Sequence, residues 1–265
     1  MAMGNRARLP NSVADREGGA YGRPMPADVP TILATSGGIT SGRRTRFAFT
    51  ALTEFAVDLS GVTGRSPRIC LLATAMGDDK AVLHYLTEAA QASGFTPSHL
   101  SLFPMPSVDD ITAHLLAQDV VWVFGGSVAG LLAMWRLHGV DTALQAAWQA
   151  GVVLTGISAG SICWHVGGTT DSFGPQLQPV TNGLGFVPYA NGVHYDSEDQ
   201  RRSLLHRLVG EEVLPAAYAT DDGAGVLYRG TEFAEAVSEH DGAAAYFIDA
   251  RDGVVVETRL DTRKL

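Results

Sequence analysis

The residues best suited to acyl transfer begin at Ser158, in the pentapeptide Gly156-Ile157-Ser158-Ala159-Gly160. This fits the pattern G-x-S-x-G. Glycines two before and two after the serine let a strand and a helix pass closely, leaving the hydroxyl exposed on a strained turn. Close packing alone would also favour small residues here. The position of the pentapeptide, at the end of the apolar run 151–157, favours a reactive serine. A helix starting at Ala159 would direct its first N–H groups and positive dipole end toward an oxyanion.

An alcohol is a poor nucleophile at neutral pH, so Ser158 needs a base within hydrogen-bond reach. Four of the eight histidines lie downstream. His165 is seven residues along the presumed helix, roughly 10 Å from Ser158 at about 1.5 Å per residue, which makes it a packing or capping residue. His206 sits on a helix whose leucines 204, 205 and 208 face inward, and falls on the solvated side. His240 lies beside acids near a turn. His194, in "NGVHYDSE", follows a short apolar stretch and precedes a helix, the position expected of a general base. A base also needs an acceptor on its second nitrogen. Asp222, in "YATDDGAGVLY", and Asp171, in "GGTTDSFGP", both qualify. Asp196 and Glu198 are too near His194 in sequence to face it. An oxyanion hole needs two N–H donors. Ala159 supplies one, and Gly126, in the "FGGS" segment one strand earlier, is favoured for the other.

Alternating segments must position these groups. Strands are expected at 31–38, 67–77, 99–106, 119–127 and 151–158. Helices are expected over 46–61, after Asp78 as cap, over 108–118, from about Leu131, after Asp141 as cap, and after Ser197 as cap. Phe47, Ala51 and Phe55 would share a helix face, and Leu144 and Trp148 would be a buried pair. Residues 166–192, rich in Gly and Pro, read as loops. Strands return over 216–239, and 244–260 reads as a β-hairpin across Arg251-Asp252-Gly253. Continuous Val/Ile/Leu strands separated by helices predict an α/β fold. It is doubly wound, with a mostly parallel sheet, helices on both faces and a C-terminal β-hairpin. Sites in such folds form at the carboxyl ends of strands. The order Ser158, His194, Asp222 differs from the Ser-Asp-His order of lipase-like hydrolases. With Asp171 as the acid, the order would match but would crowd all three between residues 158 and 194.

The chain of 265 residues is 46% hydrophobic and 18% charged, with a net charge of −9. A net acidic chain argues against nucleic-acid or anionic-membrane partners. No run of about 18 apolar residues predicts a membrane span, and the N-terminus lacks the apolar core of a secretory signal. Residues 1–29 read as a flexible tail before a single domain, 30–265. The two cysteines, Cys70 and Cys163, imply neither a disulfide framework nor a metal cluster, and a reduced, cytoplasmic setting is the simpler inference.

Several segments together resemble one family. "GISAG" follows a buried strand, "VFGGS" precedes it, and "TTD", "VHYD" and "DDG" come after it in that order. These residues, spread over roughly 30 to 230, resemble peptidase E, the dipeptidase E and cyanophycinase family of serine peptidases. The resemblance implies a fold like that of class I glutamine amidotransferases, with serine where those use cysteine. It implies Ser158 as nucleophile and His194 as base. The acid falls at Asp171 or at Asp222, where relatives often carry glutamate; Asp222 is favoured. Relatives commonly read G-G-G-N-T where this chain has Gly125-Gly126-Ser127-Val128-Ala129, which bears on substrate preference. The resemblance further implies hydrolysis of Asp-X dipeptides with no metal or cofactor. Arg201 and Arg202 are candidates for the cation that would hold the aspartyl carboxylate; a solvated helix face is the competing reading. An esterase or amidase with the same apparatus, and a non-catalytic binding protein on this fold, stand as alternatives. The partner expected is a small peptide, and a homodimer stays open.

Overall fold

A computed structural model describes residues 27, 29–251 and 253–265. The expected N-terminal tail, apart from residues 27 and 29, and the hairpin residue Asp252 therefore lie outside the described residues. The central sheet has eight strands in the order β16 (Thr262–Lys264), β13 (Glu232–Ser238), β12 (Ala224–Arg229), β1 (Thr31–Thr35), β7 (Val153–Ile157), β6 (Val120–Val123), β4 (Arg68–Leu72) and β5 (Thr96–His99). Strands β1, β7, β6, β4 and β5 run parallel, while β12 is antiparallel to β1 and β13 to β12.

Helices are α1 (Ala51–Asp58), α2 (Lys80–Ala92), α3 (Ile111–Leu116), α4 (Val128–His138), α5 (Val140–Gln149), α6 (Ala159–Ile162) and α7 (Asp199–Gly210). The parallel strands are buried on both faces because alternate side chains feed two cores. Ile69 and Leu71 of β4 pack with Val57 of α1 and Leu86 and Ala89 of α2. Cys70 and Leu72, pointing the other way, pack with Leu131 and Trp135 of α4 and Leu144 of α5. The expected mostly parallel sheet with helices on both faces is therefore present.

A second sheet of six strands runs β15 (Val254–Arg259), β14 (Ala245–Arg251), β11 (Ala217–Thr220), β10 (Ala190–Gly192), β8 (Gly167–Thr170) and β9 (Gln178–Val180). Strands β14 and β15 are the expected C-terminal hairpin, with Arg251 opposite Val254. Its base is fastened to α7 by Glu257, which accepts from Tyr195 Oη at 2.7 Å and His206 Nε2 at 2.8 Å. His206 is thus engaged rather than on an open solvated face. Strands β8, β9 and β10 lie within 166–192, so that segment is not simply loop. They are short and built of small residues, which hides them from a search for apolar runs.

Other boundaries shift for physical reasons. Residues Phe47–Phe49 form β3, paired antiparallel with β2 (Ile39–Ser41), and α1 begins only at Ala51. The third parallel strand is Thr96–His99 rather than the more apolar stretch after it. Asp79, not Asp78, caps α2 by accepting from Ala81 and Val82 N–H. Asp78 is buried and accepts the N–H groups of Leu102 and Phe103. Helix α4 starts at Val128 with Ser127 as its cap, and α5 follows Gly139 with Asp141 in its first turn. Helix α7 follows Glu198, and Ser197 is not its cap.

The junction of β7 and α6 depends on missing side chains. A Cβ on Gly156 would sit 2.5 Å from the Val123 carbonyl oxygen, and one on Gly160 would sit 2.2 Å from the same atom. Gly160→Ala is therefore expected to destabilise the protein by about 1–3 kcal/mol through overpacking, read as a lower melting temperature. An unchanged melting temperature would show that β6 and α6 can separate at no cost.

Candidate active site

Ser158 ends β7 with φ 59° and ψ −114°, a conformation that costs a non-glycine residue energy and persists only when its surroundings enforce it. Several contacts enforce it here. Ser158 N–H donates to the Thr35 carbonyl at 3.2 Å, and its own carbonyl accepts from Ser161 and Ile162 N–H. The loop after β6 presses from the side: a Cβ on Gly125 would lie 3.2 Å from Ser158 Cβ. Within that loop Phe124 N–H and Ser127 N–H are bonded, to the carbonyls of Leu72 and Ala75. Among the described residues, the N–H of Gly126 finds no acceptor, nor does that of Ala159 at the head of α6. Gly126 has φ 128°, and a Cβ there would meet the Ala75 oxygen at 2.5 Å.

His194 and Asp222 arrive from the other sheet. Strands β10 and β11 are parallel neighbours, with Gly192 opposite Ala219. Their carboxyl ends carry His194 and Asp222 respectively. His194 Nδ1 lies 2.5 Å from Asp222 Oδ1, which leaves Nε2 as the nitrogen free to handle a proton. His194 has φ 52°, a left-handed conformation in which His is several-fold enriched. Its backbone N–H is held by Ser36 Oγ at 3.1 Å, and that oxygen lies 2.7 Å from Thr220 Oγ1. Asp222 is positioned through its own N–H, which donates to Asp196 Oδ1 at 2.8 Å. Asp221, beside it, is buried; its Oδ2 takes the Ala244 N–H and the Tyr246 hydroxyl, and burial pushes its carboxyl pKa upward.

Asp171 is exposed in the turn after β8, next to Glu198, Asp199 and Gln200. Among the described residues it makes no hydrogen bond to a histidine. The acid that the structure pairs with His194 is Asp222.

Arg201 is not available to a ligand. It is 2% exposed, and its guanidinium donates to Glu198 Oε2 at 2.8 Å and to the Thr169 carbonyl, tying α7 to β8. The spacing of Arg201, Leu204, Leu205 and Leu208 already places it on the buried face of α7. Arg202 pairs with Glu257 at 3.2 Å and lies over the rings of Tyr195 and Tyr246. Arg201 is therefore corrected from a substrate-binding candidate to a structural cation, while Arg202 is engaged by Glu257 and two tyrosine rings but its side chain stays 47% exposed.

Sequence reading missed Thr35 and Ser36, which touch Ser158 and His194 through backbone N–H groups. The run "ATSGG", small residues at a strand end, was the available signal. A cavity of about 290 Å³ opens beside Ser158, lined by Ile39, Thr40, Ser41 and Phe47 of the β2–β3 hairpin together with Phe124, Gly125 and Ile157. The two thiols do not compete as nucleophiles. Burial raises Cys70 to about 12 and pushes Cys163 well above its ordinary value.

This is an α/β protein with a strained serine at one strand end and a His–Asp pair at two others. Comparison with known proteins then gives the family. The family model for peptidase family S51 matches residues 32–236. An uncharacterized peptidase of Bacillus subtilis (strain 168), YgaJ, is 39% identical over 199 residues, covering 75% of this chain and 85% of that one. The chain belongs to peptidase family S51 and is a peptidase. Two crystal structures share the fold at 16% identity. A peptidase from an acI-B1 actinobacterium superposes with a TM-score of 0.62 over 88% of this chain and 95% of its own. A Listeria monocytogenes EGD-e protein provisionally assigned to peptidase E gives 0.55 over 88% and 100%.

His165 is fully buried behind the site, with Nδ1 2.9 Å from the Ser161 carbonyl and Nε2 3.0 Å from Tyr228 Oη. A neutral ring satisfies both, donating to Ser161 and accepting from Tyr228. Burial lowers its pKa to about 4, against about 6.5 in the unfolded chain. The unfolded state therefore takes up the proton first as pH falls. Stability is fully present above about pH 6.5 and is lost progressively down to about pH 4. His165→Gln should flatten the melting temperature across that interval relative to wild type; an identical pH profile would show that another group governs it.

Ser36→Ala removes the acceptor for the His194 N–H. It should lower kcat at least tenfold while the chain stays folded by circular dichroism. Unchanged kcat would show that the left-handed turn at His194 holds without it.

Proposed function

We propose that this peptidase is of the serine type, using Ser158, His194 and Asp222 to hydrolyse small peptides, dipeptides with an N-terminal aspartate foremost. His194 Nε2 removes the Ser158 proton as the hydroxyl attacks the scissile carbonyl. Asp222 fixes the tautomer and balances the imidazolium that forms. The N–H groups of Gly126 and Ala159 take the oxyanion. His194 then protonates the leaving amine, and water attacks the acyl-enzyme with His194 as base. No metal or cofactor enters these steps.

The observation that carries this reading is the 2.5 Å contact between His194 and Asp222 at the ends of adjacent parallel strands. The strained serine in the facing sheet supports it, as do two N–H groups that find no acceptor among the described residues. The apolar walls of the cavity beside Ser158 favour a second reading, an esterase or amidase using the same three residues on a less polar acyl group. No described helix is long and apolar enough to cross a membrane. With both cysteines free and buried, a reducing compartment such as the cytoplasm belongs to the same proposal.

The reading is tested by turnover of Asp-X, Glu-X and Ala-X dipeptides beside simple esters. Ser158→Ala should abolish hydrolysis and labelling by a fluorophosphonate. Asp222→Asn should lower kcat by orders of magnitude, about 10⁴-fold by analogy with other triads, while Asp171→Asn stays within a few-fold of wild type. Hydrolysis that survives Ser158→Ala would remove the nucleophile from this scheme. A larger loss in Asp171→Asn than in Asp222→Asn would reassign the acid. Ester turnover without peptide turnover would favour the second reading.

A further inference from the structure

The cavity beside Ser158 is walled on one side by the β2–β3 hairpin, and the turn of that hairpin is Gly42-Arg43-Arg44-Thr45-Arg46. Ser41 and Phe47, the last paired residues before this turn, both line the cavity. Three arginines therefore stand in the turn between these two lining residues, themselves outside the lining, and all three are exposed.

Their isolation is informative because the chain carries 28 acidic against 19 basic residues. Arg65, Arg201, Arg202, Arg207, Arg251 and Arg263 each find a carboxylate, and Arg68, Arg136, Arg229 and Arg259 reach carbonyl or hydroxyl oxygens instead. Among the described residues, Arg43, Arg44 and Arg46 have no carboxylate within ion-pair distance. Like charges this close repel one another, so an unpaired cluster of them is best relieved by an anion from outside.

The hairpin is fastened at its base. Glu239 accepts from Gly38 N–H at 3.3 Å, Thr50 Oγ1 at 2.6 Å and Leu52 N–H at 3.2 Å, while Thr50 N–H donates to the Gly38 carbonyl. Phe49 is buried against Trp122. The cavity wall is thereby fixed, with the three arginines exposed on the turn beyond it.

We propose that this hairpin is the subsite for the C-terminal half of a short peptide, its apolar base taking an apolar side chain and its arginine turn taking the free terminal carboxylate. The inference rests on the peptidase reading above. An aspartyl side chain does not suit a cavity walled by Ile39, Phe47, Phe124 and Ile157, so the residue beyond the scissile bond is the one that fits. At about 290 Å³ the cavity is at the small end of ligand pockets, which run from about 300 to 1,000 Å³. That size suits one side chain rather than a long peptide. Guanidinium groups hold a carboxylate by paired, charge-assisted hydrogen bonds.

The test measures binding of Asp-Leu and of Asp-Leu amide by calorimetry to the Ser158→Ala protein, which cannot turn them over. A second protein adds Arg43→Gln, Arg44→Gln and Arg46→Gln, its fold checked by melting temperature. Asp-Leu should bind the first protein at least tenfold more tightly than the amide, and the ratio should fall to about one in the second. Replacing the three arginines by lysine, as a second variant, should keep most of the preference. Equal binding of acid and amide to the first protein would overturn the proposal, as would a preference surviving the glutamine changes or no binding of either ligand. Wild-type turnover reports separately on the peptidase reading: Asp-Leu that binds with the arginine dependence but is not hydrolysed overturns the catalytic scheme and leaves the subsite standing.

Discussion

The candidate site depends on the last residue of the first strand and the one that follows it. The Thr35 carbonyl accepts the Ser158 N–H, and Ser36 Oγ accepts the His194 N–H. Ser158 belongs to the central sheet, and His194 and Asp222 belong to the second. Neither sheet holds all three. Both Ser158 and His194 have positive φ without being glycine, so each needs outside support to stay where it is. One dipeptide at a strand end supports both. The hydroxyl of Ser36 also reaches Thr220, two residues before Asp222, and through it the strand bearing the acid is tied to the strand bearing the base. A few hydrogen bonds, each worth about 1 kcal/mol net, thus fix the relative position of the two halves.

Much of this was legible in the sequence where one residue type has one physical use. The apolar runs at 67–77, 119–127 and 151–158 lie over parallel strands because burial on both faces demands unbroken Val, Ile and Leu. The glycines around Ser158 were legible because the Val123 carbonyl leaves no room for a Cβ at either position. The pairing of His194 with Asp222 follows from their places at strand ends. What was hidden is tertiary. Strands such as Ala190–Gly192 and Gly167–Thr170 carry almost no apolar signal, and they exist because β11 and α7 lie against them. Phe47–Phe49 looks helical beside Ala51 and Phe55, yet it pairs with Ile39–Ser41 because Phe49 must reach Trp122. Arg201 is read as an exposed cation on charge alone, although its helical spacing with three leucines points the other way.

The arginines divide into two kinds. Arg201 and Arg202 sit near the base in sequence, but one is buried in a bridge to Thr169 and the other, still exposed, lies over two tyrosine rings beside Glu257. The arginines at 43, 44 and 46 lie more than 140 residues from His194 in sequence, in the turn between Ser41 and Phe47 of the cavity that opens on Ser158. Proximity in sequence to a catalytic candidate is thus a poor guide to which charges remain for a ligand. Which charges the fold has already neutralised is a better one.

Strand β1 has a place in the sheet that its place in the chain does not suggest. It lies between β7 and β12, so one side must wait for residues 122 positions later, and the Ser36 bond to Thr220 spans 184. Contacts of such separation slow folding, because loop-closure entropy is spent before they form. On a ribosome, the first strand emerges with neither neighbour yet made, and its two flanks close only after most of the chain is out. The Thr35 contact to Ser158 can close before the Ser36 contact to His194, which needs a longer stretch of chain. Until residue 194 is made, Ser158 stands in the chain without the His194–Asp222 pair that faces it in the folded protein.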